Sequence, residues 1–291
     1  GGYGENDYFF QNLFAGDALK RYGAGPMWNI VLFGPYARQD QPRPDKMESV
    51  GCDVAGRALA HNFSGFTTVE IHSDKGQDLL KSHFGENNVL NIDPTELLAQ
   101  SLPLADLHDP VVISPDEGAN ARADALAERL NADRFYISKQ RHITKTKVVN
   151  AKGDVAGRDA ILVDDMFDTS GTARNAALLV SEQVPRNLYV RGSHALLSKD
   201  GWSRIAKLIK QGVISDFKCL NTIARQPEYE SFAQIHGSDI SYRVGFIDIS
   251  ETLFDHIQDI AARQDMQPEY PSFTYPGQTS VDTRGPVPGG S

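Results

Sequence analysis

The chain has 291 residues, of which 40% are hydrophobic and 23% charged, and its formal net charge is −9. The length suits two domains or one large domain, and the acidic balance argues against a nucleic-acid-binding surface. No apolar run approaches the roughly 20 residues that span a bilayer, and no basic and apolar leader opens the chain. Two cysteines are too few for a disulfide framework. We therefore predict a cytoplasmic protein without membrane or nucleic-acid partners.

Short apolar runs alternate with amphipathic segments along the chain, which is typical of an α/β fold with parallel sheets. In chain order, we predict strands at 29–33, 67–71, 111–114, 134–137, 161–163, 187–190 and 216–220. We predict helices at 7–21, 51–60, 119–130, 173–182, 201–211 and 252–263.

A change of rhythm with two prolines at 102–110 predicts a boundary between two halves. We therefore predict an N-terminal α/β domain at 1–104 and a C-terminal α/β domain at 105–250. A helix at 251–266 is able to pack back on the N-terminal domain. The tail at 267–291 is rich in proline, glycine and hydroxyl residues, and we expect it to be disordered.

The segment 161–172 (ILVDDMFDTSGT) carries the strongest functional signal. Its apolar run predicts a buried parallel strand, and the following turn predicts a helix that begins near Ala173. The N–H groups at a helix N-terminus suit a phosphate monoester, and two preceding carboxylates suit the vicinal hydroxyls of a ribose. The alternative is a strand with a solvated acidic edge and a capped helix. We predict a sugar-phosphate site formed by Asp164, Asp165, Asp168, Thr169, Ser170, Gly171 and Thr172.

Four further segments accompany this loop in order, namely 36–40 (YARQD), 71–72 (IH), 112–118 (VISPDEG) and 139–141 (KQR). Together these segments resemble ribose-phosphate pyrophosphokinases, also called phosphoribosyl pyrophosphate (PRPP) synthetases, over residues 6–263. The resemblance implies two similar domains with parallel sheets, each like a type I phosphoribosyltransferase. It also implies a homo-oligomer, either a dimer or a hexamer.

The resemblance further implies an Mg²⁺-dependent transfer of diphosphate from ATP to the anomeric hydroxyl of ribose 5-phosphate, giving PRPP and AMP. It implies catalytic cations at Lys139 and Arg141, ATP-binding residues at Arg38 and Gln39, and metal ligands at His72 and Asp116. Taken singly, such residues are more often solvated, and Asp116 suits a turn or a helix cap. The ordered set favours the functional interpretation. Arg122 is predicted to be a helix-surface or interdomain charge.

The sequence departs from the family pattern in its N-terminal half. The family's first strands, which precede the helix that begins here near Asp7, are absent from this sequence, and we expect adenine recognition to be altered. After YARQD, the insertion 41–45 (QPRPD) intervenes, and Cys52 takes the place of a lysine. Two cations near the nucleotide phosphates are therefore missing, unless Arg43 or Lys46 replaces them.

Three other functions stay open at the level of sequence. The acceptor could be ADP-ribose, as in phage-encoded relatives of NAD metabolism. The chain could instead be a non-catalytic regulatory subunit that assembles with active synthetases. A PRPP-consuming phosphoribosyltransferase shares the loop, but the YARQD, SPDEG and KQR segments argue against it.

Overall fold

The computed structural model describes residues 5–43, 45–137, 139–142, 145–148 and 154–263. It divides into two compact units. Unit 1 comprises the described residues up to Leu90 and those from Phe254 onward, and unit 2 comprises Asn91–Leu253. The predicted boundary at 104/105 falls inside unit 2, and the predicted tail at 267–291 lies outside the described residues.

Unit 1 is built around a three-stranded sheet in the order β1-β2-β3, in which β1 and β2 are parallel. After Gly65, strand β2 consists of aromatic and β-branched residues (FTTV), which favour an extended conformation, and the strand is buried along its whole length. Its Phe66 packs with residues of two helices, Leu59 and Leu80, in one apolar cluster. The elements that begin before the unit boundary are α1 (Glu5–Arg21), β1 (Trp28–Ile30), α2 (Gly51–Ala60), β2 (Gly65–Val69), α3 (Asp74–Phe84) and β3 (Val89–Ile92), the last of which crosses it.

Unit 2 contains a six-stranded sheet in the order β11-β10-β9-β8-β4-β5, and the neighbouring strands are parallel. Its elements are α4 (Thr95–Gln100), β4 (Val111–Ser114), α5 (Asn120–Leu130), β5 (Asp133–Tyr136), β6 (Lys139–His142), β7 (Lys145–Val148), β8 (Asp159–Phe167), α6 (Gly171–Ser181), β9 (Asn187–Ala195), α7 (Gly201–Lys210), β10 (Asp216–Leu220), α8 (Gln226–His236), α9 (Ser238–Ser241) and β11 (Val244–Ile247). Helix α10 (Ser250–Arg263) begins in unit 2, and its residues from Phe254 onward belong to unit 1.

The core of unit 2 lies on the central strands. Ile161, Leu162 and Val163 of β8 are fully buried, since neighbouring strands flank β8 on both sides. Parallel sheets of this kind are covered on both faces, so their central strands consist of continuous apolar runs. The predicted α/β fold with parallel sheets is confirmed, and it brings the carboxyl ends of β4 and β8 to one edge of the sheet.

Every predicted strand and helix overlaps an observed element, but several elements were missed. The polar helix α3 begins after Ser73, whose Oγ accepts a hydrogen bond from the Gly76 N–H at 3.1 Å. No strand was predicted between 137 and 161, where the structure has the antiparallel pair β6 and β7. None of the helices in the described ranges combines the length and apolar character needed to cross a bilayer.

Candidate sugar-phosphate site and nucleotide segment

The predicted phosphate loop connects β8 to α6. Ser170, the residue before α6, has a left-handed backbone with φ 56°, and no side chain caps the helix. Ser170 is 4% exposed, and its Oγ has no hydrogen-bond partner among the residues that the structure describes. Because an unsatisfied buried hydroxyl is costly, a ligand with acceptor oxygens would stabilise this arrangement. The loop therefore has the features expected of an anion site at a helix N-terminus.

The predicted diol-binding carboxylates lie near the end of β8, beside an arginine of α5. Arg122 Nη1 is 3.6 Å from Asp164 Oδ1, and Arg122 Nη2 is 3.9 Å from Asp165 Oδ1. The Arg122 side chain is 14% exposed and also donates a hydrogen bond to the Gly118 carbonyl at 3.2 Å. The prediction that Arg122 is a charge on the helix surface was wrong, because its side chain is largely buried beside the two carboxylates. Parallel pairing of β4 and β8 places the helix that follows β4 beside the end of β8.

Burial controls the electrostatics of this carboxylate pair. The pKa of Asp164 is raised to about 8, mainly because burial penalises its charged form and secondly because Asp165 is nearby. The Arg122 guanidinium lowers this pKa, and the Asp116 carboxylate raises it. The Asp116 charge therefore influences the predicted diol site. Around Asp164, two carboxylates raise its pKa and one guanidinium lowers it.

The predicted ATP-binding residues lie in unit 1, in the segment after β1. Arg38 and Gln39 are exposed, and the Gln39 N–H donates to the Tyr36 carbonyl at 2.8 Å. The Gln39 carbonyl accepts from the N–H of Cys52, which ties this turn to the start of α2. A Cβ on Gly51 would lie 2.5 Å from Gln39 Oε1, so the glycine lets the carboxamide approach the helix N-terminus.

A partly buried contact joins this turn to the segment after β2, which carries His72. The Ser73 hydroxyl donates a hydrogen bond to the Asp40 carboxylate, which is 8% exposed. His72, the residue before Ser73, is half-buried. The structure therefore joins the YARQD and His72 segments within unit 1.

Two positions of this segment bear on the missing cations, namely Arg43, a possible replacement, and Cys52, which takes the place of a lysine. Arg43 forms a bidentate ion pair with Glu48, with Nε–Oε1 and Nη2–Oε2 distances of 2.5 Å. Hydrogen bonds from Arg43 lower the pKa of the Glu48 carboxyl. Burial, with the charges of Asp40 and Asp53, raises the pKa of the Cys52 thiol to about 11. The charge of Arg43 is thus already balanced, and Cys52 is a buried neutral thiol.

The remaining predicted residues are the two metal ligands and the two catalytic cations. His72 lies in unit 1 and Asp116 in unit 2, and the described residues contain no group of three or more His, Cys, Asp or Glu side chains suited to a metal ion. The backbones of Lys139 and Arg141 pair with Val148 and Thr146 on the β6–β7 ladder. The side chains of Lys139 and Arg141 lie outside the described part, so their catalytic roles stay predictions.

Comparisons with known proteins agree with the resemblance. Residues 136–267 match a family model described as the phosphoribosyl synthetase-associated domain. A ribose-phosphate pyrophosphokinase of Neisseria meningitidis serogroup A is 34% identical over 223 residues, which cover 76% of this chain and 67% of the relative. One from Vibrio cholerae is 30% identical over 237 residues, which cover 79% of this chain and 71% of the relative.

The same family appears among solved structures. The crystal structure of phosphoribosylpyrophosphate synthetase from Mycobacterium smegmatis matches with a TM-score of 0.74 at 26% identity, covering 90% of this chain and 79% of that chain. This match confirms the predicted phosphoribosyltransferase-type fold. The chain therefore belongs to the ribose-phosphate pyrophosphokinase family, whose members are diphosphotransferase enzymes.

Proposed function

We propose that the protein transfers diphosphate from ATP to the anomeric hydroxyl of ribose 5-phosphate, forming PRPP and AMP. The observation that carries this proposal is the buried hydroxyl of Ser170, which has no hydrogen-bond partner among the described residues. It lies at an uncapped helix start, five residues after Asp165. An anion site and a pair of acceptors for a diol adjoin each other along one short segment. Membership in the pyrophosphokinase family supplies the reaction type.

The loop and the carboxylates bind different parts of the sugar phosphate. Asp164 and Asp165 accept hydrogen bonds from the ribose hydroxyls, and Arg122 holds the two carboxylates beside each other. The backbone amides and hydroxyls of the loop donate to the 5-phosphate, with the positive end of the α6 dipole adding to the attraction. The residues in this second role are Asp168, Thr169, Ser170, Gly171 and Thr172.

Mg²⁺ fits the chemistry of the residues assigned to it. His72 and Asp116 would hold the ion. Because Mg²⁺ gives up its water ligands reluctantly, waters and phosphate oxygens would complete its coordination shell. The two carboxylates that raise the pKa of Asp164 favour a cation nearby. When bound, Mg²⁺ neutralises phosphate charge.

Catalysis in this proposal consists of positioning and charge stabilisation. The anomeric hydroxyl attacks the β-phosphorus of ATP in line, and AMP leaves. Lys139 and Arg141 stabilise the charge of the transferring diphosphate, while Arg38 and Gln39 bind the nucleotide. Each role is assigned from the family motif at the matching position of this chain.

One assay tests the proposal and its alternatives. The protein is incubated with Mg²⁺, ATP and either ribose 5-phosphate or ADP-ribose, and AMP is measured. AMP with ribose 5-phosphate supports the proposal, whereas AMP only with ADP-ribose supports the variant acceptor. No AMP with either acceptor refutes an enzyme of this type and favours the regulatory subunit. The neutralised Arg43 and the buried Cys52 are the observations that favour these alternatives.

A variant of Lys139 separates catalysis from binding. Lys139→Ala should abolish turnover and leave ribose 5-phosphate binding within about twofold, because this cation acts on the transferring group. Lys210→Ala, on the exposed end of α7, is the matched control and should behave like the wild type. Ordinary turnover in Lys139→Ala would contradict the assigned role.

We also propose that the protein forms a homo-oligomer, either a dimer or a hexamer, as the resemblance implies. Light scattering on the purified chain would measure the mass directly. A cytoplasmic location stays a prediction from the two cysteines, both of which are buried and free of disulfides.

A further inference from the structure

A second segment of unit 2 contacts three successive residues at the β8–α6 junction. We call residues 197–204 the brace. The Leu197 N–H donates to the Phe167 carbonyl at 2.8 Å, and the Ser198 hydroxyl donates to the Asp168 carboxylate. Arg204 Nη1 donates to the Thr169 carbonyl at 2.7 Å. The brace therefore holds the loop through its main chain as well as through an acidic side chain.

Close packing adds to these hydrogen bonds. A Cβ on Gly201 would lie 2.7 Å from the Asp168 carbonyl oxygen, so the start of α7 approaches the loop more closely than an alanine would allow. Leu197 and Lys199 have left-handed backbones, with φ of 45° and 50°. Such conformations are unfavourable for residues with side chains and persist where surrounding contacts hold them. The brace itself is thus held in a specific shape.

The loop depends on contacts of this kind because its own side chains do little to fix it. Ser170 is left-handed, its hydroxyl makes no hydrogen bond within the described residues, and no side chain caps α6. The Ser198 hydroxyl gives the Asp168 carboxylate a donor, which fixes this negative group at a predicted phosphate site. Arg204 Nη1 would be 3.8 Å from a Cβ on Gly171, so a positive charge also lies near the helix start.

We propose that Ser198 and Arg204 are positioning residues that hold the phosphate loop in its binding conformation. The ligand, a phosphorylated sugar, rests on the function proposed above. The loop geometry does not, because the contacts between the brace and the loop are made within the chain itself. The test therefore measures loop exchange without ligand and sugar-phosphate binding separately.

The experiment compares Ser198→Ala and Arg204→Gln with the wild type. Amide hydrogen exchange of the peptide containing residues 168–172, without ligand, should become about fivefold faster in both variants, because local opening becomes easier. The dissociation constant for ribose 5-phosphate, measured by calorimetry, should rise about fivefold for Ser198→Ala and about tenfold for Arg204→Gln, since hydrogen bonds to charged groups contribute more. The KM for ATP should stay within about twofold.

Two further variants separate positioning from general stability. Lys207→Gln removes the same charge from an exposed position of α7 and should change neither exchange nor binding. Arg204→Lys keeps a donor for the Thr169 carbonyl and should recover part of the lost affinity.

The outcomes distinguish the two proposals. If amide hydrogen exchange of residues 168–172 is unchanged in both variants, the proposed positioning role of the brace is wrong, whatever the binding data show. Faster exchange with unchanged ribose 5-phosphate affinity would also overturn it as a positioning device. A wild type that binds no ribose 5-phosphate would refute the proposed function instead, and the exchange data alone would then decide on the brace.

Discussion

The proposed sugar-phosphate site in unit 2 and the proposed nucleotide segment in unit 1 are built in different ways. In unit 2, Asp164, Asp165 and Arg122 are all largely buried and lie beside one another at the edge of a sheet. In unit 1, Arg38 and Gln39 are exposed, and Arg43 is paired with Glu48 on the surface. Buried charges depend on their partners, whereas exposed charges can be exchanged at little cost.

This contrast explains where the chain keeps the family pattern and where it departs from it. A change at Asp165 or Arg122 would leave a buried charge without its partner, which is strongly destabilising. A change at the exposed residues 41–43 or 45 disturbs no core packing. Altered nucleotide recognition is therefore compatible with an intact fold, and the sugar-phosphate part should respond far more strongly to mutation.

The largest effect is expected at Gly201. Gly201→Ala places a Cβ against the Asp168 carbonyl oxygen, at 2.7 Å in the present geometry, so the loop backbone must move. We expect the affinity for ribose 5-phosphate to fall about a hundredfold, because displacements of an ångström in a binding site have effects of this size. Calorimetry measures the affinity, and urea unfolding should show a loss of about 2 kcal/mol.

The control for this variant is Gly245→Ala in β11. A Cβ there would meet nothing closer than Lys218 Cγ at 3.8 Å, so binding and stability should be close to the wild type. Equal behaviour of the two alanine variants would show that the close approach of α7 to the loop does not control binding.

A smaller effect is expected from the protonation of Asp164. Its pKa in the folded protein, about 8, lies above the ordinary 3.8, so the folded protein binds more protons than the unfolded chain between these values. The free energy of unfolding should therefore fall as pH rises from about 4 to about 8. Asp164→Asn should remove most of this fall.

Urea unfolding at pH 5 and pH 8, without divalent cations, measures this dependence. Asp200→Asn is the control, because Asp200 is 71% exposed in the same unit and should leave the pH dependence unchanged. If Asp164→Asn kept the pH dependence of the wild type, the pKa of Asp164 would be close to that of an ordinary carboxyl.

Much of the fold could be predicted from the sequence because the pattern of apolar residues indicates directly which segments are buried. The run Ile161, Leu162 and Val163 predicted a central strand, and these residues are fully buried. Elements without such a pattern were missed. Helix α3 is polar and begins at the Ser73 cap. Strands β6 and β7 carry charged residues and form a separate antiparallel pair outside the parallel sheets.

The local part of the site was likewise predictable, and the long-range part was not. Asp164 and the loop residues follow one another in sequence, so one strand and one helix place them together. Arg122 and Arg204 approach this segment from two other helices. Their roles depend on tertiary distances between segments that are 30 or more residues apart, as the 35-residue separation of Arg204 and Thr169 shows. A helical arginine alone does not reveal such a contact.

The reaction rates of the two cysteine thiols provide a comparison of the stability of the two units. Cys52 in unit 1 is 5% exposed with a pKa of about 11, and Cys219 in unit 2 is fully buried with its pKa raised by burial. Neither should react with a thiol reagent in the native protein at neutral pH. In low urea, Cys52 should react about tenfold faster, because the smaller three-stranded unit opens at a lower free energy.

Single Cys52→Ser and Cys219→Ser variants assign each rate to one thiol by mass spectrometry. Equal rates at every urea concentration would show that the two units open together, and the proposed difference in stability would then be wrong.

The smallest effect is expected at Arg43. Its guanidinium is 61% exposed and bound in bidentate fashion to Glu48, so it has few donors left for a nucleotide phosphate. Arg43→Gln should therefore change the KM for ATP by less than about twofold, whereas Arg38→Gln should raise it about tenfold if Arg38 contacts the phosphates. Steady-state kinetics at saturating ribose 5-phosphate measures both values.

Glu48→Gln completes the comparison because it releases Arg43 without removing its charge. If the Glu48 pair is what keeps Arg43 from the nucleotide, this variant should lower the KM for ATP, and Arg43→Gln combined with it should cancel the gain. A large rise in KM for Arg43→Gln alone would mean that Arg43 already replaces a missing family cation. The exposed segment would then be as specialised for its ligand as the buried carboxylates of unit 2.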